Sequence, residues 1–216
     1  MPHNSSIMIA STTPRSPSPR RKPLYEGRRV HQRDYLALPD DGFLYDMIDG
    51  VLHVSPSPLF HHGTVAGRLF ARLDEYLHKN PVGRVTLETD VFLPDEGDVL
   101  RPDLTFVLSE NDAIIRGHIH GVPDLVCEIL SDRTRHRDVH QKADRYLNNG
   151  VREYWLVDPQ AGLDPNGPSF EIWINSARRT GATEAEPARR WRKLRGSQVN
   201  SVLLPGFNPA VDRLFD

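Results

Sequence analysis

A single cysteine, Cys127, stands in the 216 residues of the chain. Neither a disulfide framework nor a thiolate zinc cluster can be built from it. No apolar run approaches the ~18 residues that a membrane-spanning helix needs. The island Ile7-Met8-Ile9-Ala10 is too short for a secretory core, so a reducing cytoplasm is the expected compartment. Basic excess is missing too. Lys and Arg number 27 against 29 Asp and Glu, a formal net charge of -2. A protein that grips nucleic acid over a wide face usually carries a positive balance, so any DNA contact must come from local patches. There is no P-loop, no G-x-G-x-x-G, no nucleophile elbow and no internal repeat. What remains fits one globular domain over residues 24–216, with 38% of the chain hydrophobic. Met1 to Pro23, rich in Ser, Thr, Pro and Arg, is expected to be a disordered tail.

The ordered part begins with a short helix expected over Val30 to Leu38, stopped by Pro39 and Asp40-Asp41-Gly42. Asp49-Gly50 between apolar segments reads as a tight turn into a strand. His62 to Asn80 is the clearest helix, with Val65, Leu69, Leu73, Tyr76 and Leu77 on one stripe. Val85 to Leu93 alternates like a half-buried strand, and Pro94 to Leu100 should join it to the next strand as a long hairpin. That next strand opens on Arg101-Pro102-Asp103. Another, Pro123 to Ser131, carries Glu128 inside an apolar run. A helix of about three turns should follow, with Val139, Ala143 and Leu147 toward the sheet, ending at Asn148-Asn149-Gly150. Tyr154 to Asp158, Phe170 to Ile174 and Trp191 to Leu194 read as strands, with Arg178 to Arg190 a polar excursion. Asn208-Pro209 looks like the capped start of a terminal helix.

Glu128 is the most informative residue. On a strand, Asp124, Val126, Glu128 and Leu130 share one face, and Leu125, Cys127 and Ile129 the other. A buried carboxylate is costly unless it is paired or holds a cation. Asp103 on a neighbouring strand would only add repulsion unless a cation intervenes. One resolution is a hard divalent ion held by Asp103, Glu128 and a backbone carbonyl; Mg²⁺ suits sparse carboxylate sites with waters kept. The other is a salt bridge from Glu128 to Arg101, Lys142 or Arg145. Both stand on the sequence alone. By pattern, Lys142 lies at the border of the helix's buried stripe, a solvated lysine paired with Asp138 four residues earlier. His136 and His140, and His118 and His120, lack a third ligand at a recognisable zinc spacing.

These residues have a pattern. Asp49-Gly50, His62, Arg101-Pro102-Asp103, Pro123 to Ser131, Lys142, Tyr146 and Gly150 to Pro159 together resemble the Uma family of restriction-endonuclease domains, within the PD-(D/E)XK nuclease superfamily. The resemblance runs from about Val30 to the C-terminus, most specifically in Gly150 to Pro159. It implies an α/β (α+β), restriction-endonuclease-like fold, a central mixed β-sheet flanked by helices. It also implies Mg²⁺-dependent (or Mn²⁺-dependent) hydrolysis of DNA phosphodiester bonds. Asp103 and Glu128 match the family's metal-binding acids, with the Ile129 carbonyl beside them. The superfamily's usual lysine position is Leu130 here, and Lys142 on the next helix is its substitute. Asp46 stands where the family commonly has glutamate, one methylene longer, and His62 matches a recurrent histidine; both are candidates for support behind the catalytic residues Asp103, Glu128 and Lys142. DNA is the implied substrate, no membrane is involved, and the resemblance admits a homodimer. The rival reading is a non-catalytic nuclease-fold module that binds nucleic acid or a partner protein.

Overall fold

The computed structural model describes residues 21–159, 168–175 and 189–216. Most of the expected tail and of the Arg178 to Arg190 excursion lies outside the described residues. Chain entry is a short 3-10 helix, Gln32–Ala37. The hairpin β1 (Leu44–Ile48) and β2 (Val51–Ser55) follows, turned by Asp49 at φ 51° and Gly50 at φ 71°. Two successive positive φ values make the mirror-image turn whose twist suits antiparallel strands. Helix α1 (Phe60–Lys79) carries Val65, Leu69, Leu73 and Leu77 buried in one stripe. Burial of each such side chain is worth about 1.5–3 kcal/mol, which fixes which face of α1 meets the sheet.

The expected strand Val85 to Leu93 is instead two strands in two different sheets. β3 (Gly83–Leu87) pairs antiparallel with β6 (Leu104–Leu108). The chain then kinks at Glu88, φ 47°, and β4 (Val91–Phe92) pairs with β5 (Val99–Leu100) in the other sheet. The kink is held where Thr86 Oγ1 and Thr89 Oγ1 meet at 2.8 Å and the Glu88 N–H donates to the Asp103 carbonyl. Unbroken alternation hides such a corner, because both halves keep their inside and outside.

With β7 (Ile115–Arg116) and β8 (His118–His120), the first sheet runs β2-β1-β5-β4-β8-β7. β9 (Leu125–Ile129), β10 (Glu153–Asp158), β11 (Ser169–Ile174) and β12 (Arg189–Leu194) complete the second, ordered β12-β11-β10-β9-β6-β3. The second sheet is mixed: β9 and β10 are parallel, and its other pairs antiparallel. A parallel pair needs a crossover, supplied by a π-helical segment, Arg137–Lys142, that runs on into α2 (Ala143–Asn149). Gly150, at φ 97°, ends it as the sequence signals.

Each face of β9 has its own core. Leu125, Cys127 and Ile129 pack with the α1 stripe, while Val126 and Leu130 pack with Ala143, Tyr146 and first-sheet residues such as Val91 and Leu100. The two-residue alternation therefore holds, and Glu128 lies on the side of α2 and the first sheet. The terminal helix α3 is shorter than expected, Asp212–Phe215. Pro209 is not its first residue: the Val199 N–H donates to the Pro209 carbonyl and the Val211 N–H to the Ser197 carbonyl, keeping the chain extended there. Among the described residues no helix is long and apolar enough to cross a membrane.

Candidate active site

The two sheets meet over a cleft of ≈ 600 Å³ whose lining includes Asp46, His62, Arg101, Asp103, Glu128, Ile129, Asp138 and Lys142. Its floor is the C-terminal end of β9. In the antiparallel register Leu104 faces Cys127 and Thr105 faces Val126, so one further step sets Asp103 opposite Glu128. Asp103 lies just before β6. Its Oδ2 accepts the Ile129 N–H at 2.6 Å and lies 3.1 Å from His62 Nε2, in the first turn of α1. A carboxylate only accepts, so Nε2 carries the proton; Nδ1 is buried without a partner among the described residues. Burial pulls the His62 pKa down, but the bond and charge of Asp103 outweigh it and raise it above the ordinary value.

Glu128 is 2% exposed. Its Oε1 accepts from Lys142 Nζ at 3.1 Å. Burial pushes the Glu128 carboxyl well above the usual range, against the pull of the Lys142 ammonium, with Asp138, Asp103 and Asp46 adding to the push. Lys142 itself is 4% exposed, not the solvated border residue that helical periodicity suggests. Its Nζ also donates to the Arg101 carbonyl at 3.3 Å, and lies 3.4 Å from Asp46 Oδ1 and 3.7 Å from Asp138 Oδ1. Burial favours its neutral amine, yet Asp46, Glu128 and Asp138 together hold its pKa well above the ordinary value. The salt-bridge partner of Glu128 is thus Lys142. Arg101 is taken by Asp90, at 2.7 and 2.9 Å, and Arg145 by Asp49 and Asp98.

Asp46 is 1% exposed and fully engaged. The Arg101 N–H donates to its Oδ1 at 2.9 Å, while the Ser55 hydroxyl and Arg137 reach Oδ2 at 3.1 and 3.4 Å. One methylene fewer than glutamate still leaves it within ion-pair distance of Lys142. Asp138 is the cleft residue that sequence reasoning used only as a helical partner. It is buried, as are Lys142 and Tyr146, whereas Val139 and Leu147 are half-buried. The inward row is therefore 138-142-146 beside Ala143, displaced from the expected 139-143-147. A π-helical turn, common at functional sites, sits over that displacement. Burial raises the Asp138 carboxyl above its usual range despite Lys142.

The donor set fits a hard cation in one respect. Among the described residues, no side chain or backbone group bonds Asp103 Oδ1 or Glu128 Oε2, though both residues line the cleft. No cluster of three or more His, Cys, Asp and Glu arranged for a metal occurs among the described residues. The set is two carboxylates, which suits Mg²⁺ with retained waters rather than an all-protein cage. His136 and His140 are exposed, their rings 4.9 Å apart on the outer helix surface, away from this set.

The mixed sheet bears opposed acids at a strand end, with a helix covering them. A solved structure described as "a putative nuclease belonging to DUF820" from Anabaena variabilis ATCC 29413 superposes with a TM-score of 0.65. The two are 17% identical over 86% of this chain and 97% of that one. At that identity the likeness speaks for the fold. The chain belongs to the Uma2 family, described as "Putative restriction endonuclease", whose model matches residues 32–163. That match takes in every cleft residue named above. No curated protein matches the chain.

Proposed function

We propose that this chain is a metal-dependent nuclease that hydrolyses DNA phosphodiester bonds in the cleft between its sheets. One observation carries the reading: Asp103 and Glu128, whose Oδ1 and Oε2 have no partner among the described residues, line a cleft in which a buried ammonium is already bonded to Glu128. Asp103 and Glu128, with the Ile129 carbonyl, would hold Mg²⁺ or Mn²⁺. A dication there supplies Lewis acidity toward the scissile phosphate and acidifies the attacking water. His62 and the Ile129 N–H fix Asp103 through Oδ2, leaving Oδ1 without a partner among the described residues. Lys142, kept charged by its acidic neighbours, offers N–H bonds to phosphate oxygens as negative charge grows on them.

The rival reading, a binding module without catalysis, draws on charge. Asp46, Glu88, Asp103, Glu128, Asp132 and Asp138 line the cleft against Arg101, Arg133 and Lys142, a balance that repels a polyanion. A cation in the cleft removes part of that repulsion, so the two readings divide on metal. The test is cleavage of plasmid and single-stranded DNA in Mg²⁺, Mn²⁺ or EDTA, beside Glu128→Ala. Metal-dependent nicking lost in the variant supports the nuclease. DNA binding without cleavage in any metal leaves the module.

A further inference from the structure

The structure singles out Lys142 as a charge with more acidic neighbours than a simple pair needs. Its Nζ bonds Glu128 at 3.1 Å, yet Asp46 lies at 3.4 Å and Asp138 at 3.7 Å. Asp46 is already occupied, accepting from the Arg101 N–H, Ser55 and Arg137. Asp138 is different. Its carboxylate takes a hydrogen bond from the Thr134 side chain and lies within ion-pair range of Lys142 but beyond hydrogen-bond range, and its backbone is fixed from behind. Tyr154 donates its hydroxyl to the Asp138 carbonyl at 2.8 Å, and the Asp138 N–H donates to Thr134. A buried carboxylate on a backbone held this firmly, with acceptor capacity beyond its one Thr134 bond and a fraction of an ångström short of an ammonium, is an acceptor in waiting.

We propose that Asp138 is a positioning residue that receives Lys142 when a divalent cation takes Glu128. The inference rests on the metal-dependent reading of the cleft and goes beyond it by assigning Asp138 a part. Glu128 cannot give both its oxygens to a cation and keep the ammonium at its present distance without placing like charges together. Lys142 lies one helical turn after Asp138, so a change of side-chain rotamer closes the 3.7 Å gap with no shift of backbone. On Asp138 the ammonium remains charged and remains in the cleft, beside the cation rather than in its place. Asp46 stays within reach as a second anchor. No bond is made or broken; one ion pair is exchanged for another.

The test follows the lysine itself. In protein labelled with ¹⁵N at lysine side chains, a buried, hydrogen-bonded ammonium gives a resolved signal protected from solvent exchange. Titration of the wild type with Mg²⁺ should move the Lys142 signal, identified by its absence in Lys142→Arg, while leaving it protected. In Asp138→Asn the apo signal should persist, but Mg²⁺ should broaden it away, and kcat should fall at least tenfold with KM for DNA unchanged. Asp138→Glu should restore the protected, metal-responsive signal, and this variant decides if the asparagine variant does not fold. A wild-type signal unmoved when Mg²⁺ demonstrably raises the melting temperature would overturn the exchange while leaving the metal reading intact. So would an Asp138→Asn protein that answers Mg²⁺ as the wild type does, or one that no longer binds Mg²⁺ and so marks Asp138 as a ligand. Absence of any Mg²⁺ effect on melting temperature, signal or DNA would sink both readings together.

Discussion

Glu128 and Glu153 occupy neighbouring strands of the same sheet, β9 and β10, and both are buried, 2% and 1% exposed. Glu128 lies near the C-terminal end of its strand and Glu153 at the N-terminal start of the parallel partner, so they mark opposite ends of the sheet. Each end has a hollow. Around Glu153 it measures ≈ 640 Å³, slightly more than the cleft at Glu128. Size therefore does not separate them; the bonding does. Glu153 Oε1 accepts the N–H groups of Val202 and Leu203, both at 2.7 Å, and Oε2 accepts Trp155 Nε1 and Ser201 Oγ at 2.8 and 2.9 Å. All four donors are neutral and both oxygens are filled. Glu128 has one charged donor on one oxygen and, among the described residues, no partner on the second. Burial of an acid in a sheet thus has two meanings, and unfilled acceptor capacity sets the carboxylate proposed to act on substrate apart from the structural clasp.

The comparison can be broken at either end. The largest effect belongs to Glu128→Ala in a plasmid-nicking assay, where cleavage should drop by at least about a thousandfold, some 4 kcal/mol of barrier. The folded yield should be nearly unchanged. Glu153→Ala should do the reverse. It leaves two backbone N–H groups and two side-chain donors without acceptors, for a loss of about 3 kcal/mol or more in urea unfolding. Nicking per folded molecule should survive. If Glu153→Ala were inactive yet stable, the two acids would have been assigned the wrong way round.

Metal sharpens the contrast at a slightly smaller scale. A cation that binds the native cleft and not the unfolded chain stabilises by about 2.7 kcal/mol at a hundredfold excess over its dissociation constant. Calorimetric melts should show this shift with Mg²⁺ or Mn²⁺ for the wild type and for Asp138→Asn. Glu128→Gln should show none, while being as stable as the wild type or more so in EDTA. The smallest effect is one of pH. The Glu128 carboxyl is raised above its ordinary value by burial, so the folded state holds that proton more tightly than the unfolded chain. Its contribution is complete below the unfolded value, about 4.3, and fades as pH rises toward the folded one. In EDTA, the stability gap between Glu128→Gln and wild type should widen with pH from there, by at most about 1.4 kcal/mol for each unit. A gap that narrowed with rising pH would mean that Lys142, rather than burial, sets the charge of Glu128.

Much of this was legible because it follows from period and punctuation. The two faces of β9, the α1 stripe and the Gly150 stop each rest on a local rule, and the structure keeps them. The corner at Glu88 was not, since β3 and β4 each alternate correctly and only their partners differ. Asp138 escaped because α-helical spacing points 139-143-147 inward, whereas the π-helical segment sets 138 and 142 there. The pattern by itself also read Lys142 as a wet surface residue; family resemblance placed it in the cleft, where it is buried. The terminal helix was misjudged for a different reason. Asn208-Pro209 is a sound local start signal, overridden by two backbone bonds to residues 197 and 199 that no local rule contains. Glu153 gave no signal at all, because its four donors include two backbone groups nearly fifty residues away.

The helical origin of Lys142 has a consequence for descent. A residue gained or lost within β9 would turn every side chain beyond it to the opposite face and wreck the sheet. A residue gained or lost in the 131–134 link leaves the strands in register and shifts the helix against them. Leu130, released from any chemical duty, is free to remain a packing residue. Anions and cation thus sit on different elements of the chain, and a single codon inserted ahead of the helix would move Lys142 relative to Glu128 while leaving β9 and β10 paired, at the cost of the Ala143 and Tyr146 packing.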